Sequence, residues 1–161
     1  LLVAVTVVLA ATVGGFVAAR GVGAAPPQAH LSVTVDATNG YPDGQQIRLT
    51  HEGGDPLAVR DLALVVTVEG GVHPRLTGFP TRRLTADNVA GEHVFDRSYA
   101  GVDGAIDAAH TDGRWTAGET ADVRVAQADL DIRLADRVAV RVVHRPTGVT
   151  LVAETVRATG A

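Results

Sequence analysis

The first nineteen residues, Leu1–Ala19, carry no charge and no strongly polar group; beyond them apolar and polar positions begin to alternate. At about 1.5 Å per residue the opening run makes a helix of roughly 28 Å, close to the hydrocarbon thickness of a bilayer. It is longer than the apolar core of a signal peptide, and too long for a buried strand. In lipid the backbone must satisfy its own hydrogen bonds, so the run predicts a transmembrane-type helix over residues 1–20. Within it Thr6, Ala10, Gly14 and Ala18 recur every four residues, as do Ala11, Gly15 and Ala19. Two adjoining stripes of small residues let other helices approach closely, which predicts self-association over service as an idle anchor.

Arg20 ends the run. Gly21, Gly23, Pro26 and Pro27 then mark a hinge over residues 21–27, because tandem prolines force the chain out of a helix. From residue 28 to 161 the pattern has period two, the mark of half-buried strands. Leu31, Val33 and Val35 alternate with polar neighbours, and so do Ile47 and Leu49 after the turn-forming stretch 39–44. Leu62–Val68 is nearly continuous in apolar residues, as a central strand would be. Ala121–Val125, the alternating Val138, Val140 and Val142, and Val149–Val156 complete the set. The last two flank Arg145–Gly148, a hairpin-like turn. Residues 70–114 are the least regular and predict long loops with one or two strands. The fold expected is α+β: a long N-terminal hydrophobic helix followed by an all-β immunoglobulin-like sandwich with Trp115 as its one large anchor.

Composition removes several chemistries. Cysteine is absent, so disulfides and thiol catalysis are excluded. All 14 basic residues are arginine, which excludes a phosphate-loop lysine and Schiff-base chemistry. A net charge of −4, with Arg82-Arg83 the one basic pair, argues against nucleic-acid binding. Ser32 and Ser98 lack a glycine elbow, so no serine nucleophile is expected. The six histidines show no paired spacing, which leaves a zinc site assembled by the fold the weaker reading. Asp103, Asp107 and Asp112 could hold calcium, but a solvated acidic loop is the favoured reading. No catalytic residue, cofactor or metal is therefore expected. The chain also contains no methionine, which reads as a processed N-terminus with residues missing before Leu1.

One local string stands out. His51-Glu52-Gly53-Gly54-Asp55-Pro56 lies between two strand patterns, where Gly53 and Gly54 permit positive φ and Pro56 fixes the exit. It reads as a structural turn that His51, Glu52 and Asp55 cap or brace, in preference to a ligand site. The same string, with the strand-like residues after it, resembles the Thr-His-Glu-Gly-Gly-Asp segment of haloarchaeal type IV pilins. The apolar run Leu1–Val17 is similar to that family's helix, and Trp115-Thr-Ala-Gly-Glu119 and Val143–Gly148 are similar to its C-terminal half. The basic signal that normally precedes the helix in that family is not in this chain. The resemblance implies a structural subunit of an extracellular archaeal type IV pilus, serving adhesion. It implies a helical homopolymer with the helices in its core, a stay in the cytoplasmic membrane before assembly, and prepilin peptidase and assembly machinery as partners. The alternatives are an archaellin-like motility subunit and a monomeric membrane-anchored surface binding domain. The latter calls for a concave charged or aromatic site, which the sequence does not reveal.

Overall fold

The computed structural model of the protein describes residues 25–38, 44–69 and 73–160. Eleven strands are formed there: β1 (Ala29–Asp36), β2 (Gln45–Gly54), β3 (Leu57–Ala58), β4 (Leu62–Val68), β5 (Arg75–Leu76), β6 (Val89–Ala90), β7 (Val102–Gly104), β8 (Arg114–Trp115), β9 (Thr120–Val125), β10 (Arg137–His144) and β11 (Val149–Arg157). One sheet has the order β1-β2-β9-β7, a second β11-β10-β4-β5-β6, and β3 pairs with β8. Every pairing between these strands is antiparallel.

The expected α+β class is corrected by this: the described chain is β throughout, with a single 3-10 turn at Val59–Asp61 and no α-helix. Among the described residues no helix is long and apolar enough to cross a membrane, so the transmembrane and helical-core reading has no structural counterpart there. The physical reason lies in the pattern, since the apolar stretches among the described residues are short and rich in the β-branched residues that favour a pleated surface. The expected helix over 1–20 lies outside the described residues. With it lie its packing positions Thr6, Ala10, Ala11, Gly14, Gly15, Ala18 and Ala19, and the hinge glycines Gly21 and Gly23. Pro26 and Pro27 are described; both are half-buried, outside any strand.

Alternation decides what each strand buries. Leu31, Val33 and Val35 of β1, and Ile47 and Leu49 of β2, face inward, as do Val138, Val140 and Val142 of β10. The run Leu62–Val68 is β4, paired on one side with β10 and on the other with β5. Leu49 and Ala121 of the first sheet, Leu62 and Leu64 of the second, and Trp115 line one small apolar void between them. Among the described residues of the 70–114 stretch there are three short strands, β5 to β7, and the start of β8, rather than one or two. The two sheets also meet along one edge. Glu154 of β11 accepts the Val33 N–H of β1 at 3.1 Å, and Thr159 forms a parallel bridge with Asp36. An edge so covered offers no free ladder to a stray strand.

Candidate functional site

Two places on the domain concentrate polar contacts. The first is where the chain enters it. Strand β2 alternates through Gln45, Ile47, Leu49 and His51, all buried, so His51 points inward with the core. Its ring meets Trp115 edge-on, centroids 6.0 Å apart and planes 71° apart. Nε2 lies 3.0 Å from the Asp55 carbonyl oxygen, which can only accept, so that nitrogen carries the proton. The buried Nδ1 has no hydrogen-bond partner. The His51 N–H donates to the Glu119 carbonyl, and the Gly118 N–H to that of His51, at 2.9 and 2.7 Å. The Trp115 indole N–H donates to the same Glu119 carbonyl at 2.9 Å.

Asp55 closes the arrangement on the incoming chain. The Gln28 N–H donates to Asp55 Oδ2 at 2.9 Å, and the Asp55 N–H donates to the Gln28 carbonyl at 2.7 Å. Gly54 has φ +102°, and a Cβ there would lie 2.3 Å from the Gln28 oxygen, so only glycine lets the two backbones approach this closely. Gly53 has open space beside it and no positive φ. Glu52 faces outward and accepts the Ser32 hydroxyl at 2.5 Å. Residues 51–54 are thus the end of β2, and the bend is confined to Asp55–Pro56. The strings around His51 and Trp115, far apart in sequence, are tied to each other, and Gly54 and Asp55 of the first bracket Gln28.

The second place is the outer face of the first sheet. Register puts Arg48, Asp122 and Asp103 in one row across β2, β9 and β7, with Gln46 opposite Arg124 in the next. Residues 99–110 fold over the end of these rows and leave a polar cleft of about 390 Å³, lined also by Tyr99, Asp107 and His110. Arg48 Nε is 2.6 Å from Asp122 Oδ1, and the carboxylate is the more buried partner. His110 Nδ1 stands 3.2 Å from Asp103 Oδ1 and 3.0 Å from Asp107 Oδ2. Asp112, grouped with those aspartates in the sequence reading, instead accepts the Arg114 N–H at 2.8 Å. At the rim Tyr99 is exposed, with the guanidinium carbons of Arg82 and Arg83 at 5.5 and 5.7 Å from its ring centre.

No family model, curated protein or solved structure matches the chain. What the molecule does must therefore be argued from its own geometry. Sequence reasoning found the His51–Pro56 string but missed its partners Gln28, Trp115 and Glu119. It also missed the cleft. The inward position of His51 was readable by continuing the alternation of Ile47 and Leu49 by two residues. The company of His110 was not, because Asp103 and Asp107 reach it through the path of a loop.

Proposed function

We propose that the chain is a structural subunit of an extracellular filament of the type IV pilin kind, with its β-domain outermost and assembly through the residues before Gln28. Copies of the same chain are its partners. The observation that carries this reading is the two-way hydrogen-bonded pair between Gln28 and Asp55 under Gly54. A domain attached to an assembly through its N-terminal side is loaded where the chain enters, and a bracket holding the residue just before β1 on both its N–H and its C=O resists that load. The bracket belongs to the His51–Pro56 string, which His51 ties to the Trp115–Glu119 string, and both are among the strings that carry the resemblance.

Electron microscopy of the purified full chain tests the reading. Filaments roughly 60–100 Å wide are expected, the girth given by domains about 35 Å across arranged around a core. Dispersed single particles under every assembly condition would overturn it. Swimming behaviour of a deletion strain separates a pilus from a motility filament. A second reading, a monomeric surface binding domain, is favoured by one specific observation: the concave charged cleft beside Tyr99 that the sequence did not reveal. On that reading the chain stays dispersed and substitution of Arg48 or Tyr99 abolishes ligand capture.

A further inference from the structure

We propose that Asp103, Asp107 and His110 form a binding site for a first-row divalent metal ion, zinc being the best fit. This rests on the cleft alone and is independent of the filament reading. The donor set is one imidazole nitrogen and two carboxylate oxygens, within 4.8 Å of one another. Imidazole favours zinc and its neighbours over calcium or magnesium, which prefer oxygen throughout. Distances agree with that choice. A tetrahedral ion with bonds near 2.0 Å needs ligand atoms about 3.3 Å apart, and His110 Nδ1 is 3.2 and 3.0 Å from the two carboxylate oxygens. Two edges of the tetrahedron already have that length, and all three ligand atoms lie within 4.8 Å of one another.

Charge supplies a separate reason. Asp107 is 5% exposed: its Oδ1 accepts the Ala109 N–H at 2.8 Å, its Oδ2 faces His110, and Arg124 lines the same cleft. Arg48 is committed to Asp122. A buried carboxylate beside a second carboxylate calls for a positive charge, and a metal ion supplies it with the imidazole neutral. The backbone holds the ligands in place. Asp103 is in β7, and Gly104 at φ +69° sits so close to the Thr120 carbonyl that a Cβ would be 2.1 Å away. The Asp107 N–H donates to the Gly104 carbonyl, and the His110 and Thr111 N–H groups donate to the Asp107 carbonyl, at 3.0 to 3.1 Å. All three ligands line the cleft, so the remaining coordination position has room for water or for an oxygen of a ligand entering it.

The test is calorimetric titration of the chelator-treated full chain with zinc chloride and, separately, with calcium chloride. His110→Ala and Asp103→Asn serve as variants, both at exposed positions, with circular dichroism to show that each is folded. One zinc ion per chain is expected, with calcium weaker by about tenfold or more. Removing only the supporting partner of a metal ligand costs about 10–100-fold, so each variant should lose at least about 100-fold. No zinc binding, calcium binding as tight as zinc, or zinc binding unchanged in a folded His110→Ala chain would each overturn the site.

Discussion

Neighbouring glycines at 53 and 54 carry opposite demands, and they offer a sharp check on the bracket. Gly54→Ala forces a side chain into a positive-φ position and onto the Gln28 carbonyl; it should cost about 2 kcal/mol or more. Gly53→Ala meets open space and should change stability by less than about 1 kcal/mol. Urea denaturation of the two variants measures the contrast. If both lose equal stability, Gly54 is not what sets the approach of the chains. His51→Ala removes a fully buried ring, its bond to Asp55 and its contact with Trp115, and should cost about 3 kcal/mol in the same measurement. The inward face of His51 follows from two-residue alternation, so it was legible in the sequence. Its partners were not, because Gly118 and Glu119 reach it, and Gln28 reaches Asp55, through backbone groups that leave no trace in residue type.

At the scale of elements, the strands with a continuous face were legible. β1, β2 and β10 lie where period two places them, each burying alternate residues against one core, while β4, β9 and β11 lie on the apolar stretches at 62–68, 121–125 and 149–156. The short strands between residues 70 and 114 were not, because two or three paired residues carry no period. Some bonds between elements depend on polar side chains that composition treats as surface. Gln45 is fully buried; its Nε2 donates to the Ile132 carbonyl at 2.5 Å and its Oε1 accepts the Ile132 N–H at 2.8 Å. Gln45→Leu keeps the volume but strands both backbone groups, so a loss of about 2–4 kcal/mol is expected. A thermal melt unchanged from the parent would show that water replaces the amide. At the shared edge, Glu154→Ala frees the Val33 N–H and uncovers β1. It should cost about 1 kcal/mol and raise aggregation in light scattering on prolonged incubation.

At the scale of the whole molecule, chemistry was the least legible part. The cleft is made where three strands in register meet a loop, and no spacing in the chain announces that Arg48, Asp122 and Asp103 form a row. The domain presents two separate polar devices, a bracket at the incoming chain and a cleft on the outer sheet face. Disabling each should leave the other intact. Asp55→Ala is expected to cost about 1–2 kcal/mol through the lost Gln28 bond and to shorten or abolish filaments under the microscope, with the cleft unaffected. Tyr99→Ala, which removes the ring beneath Arg82 and Arg83, should leave both filaments and stability unchanged within about 0.5 kcal/mol. Loss of filaments with Tyr99→Ala would place the cleft in a subunit interface.

Gln28 follows directly on Pro26 and Pro27, whose rings fix φ at about −65°. With Gln28 held on both its N–H and its C=O, little torsional freedom is left over these three residues. The direction in which the chain leaves the domain is thus written into covalent geometry, like the angle between a blade and its handle. Turning that angle takes no new interface. Replacing Pro27 with glycine would keep every described strand and, in the filament proposed above, let neighbouring domains face different ways.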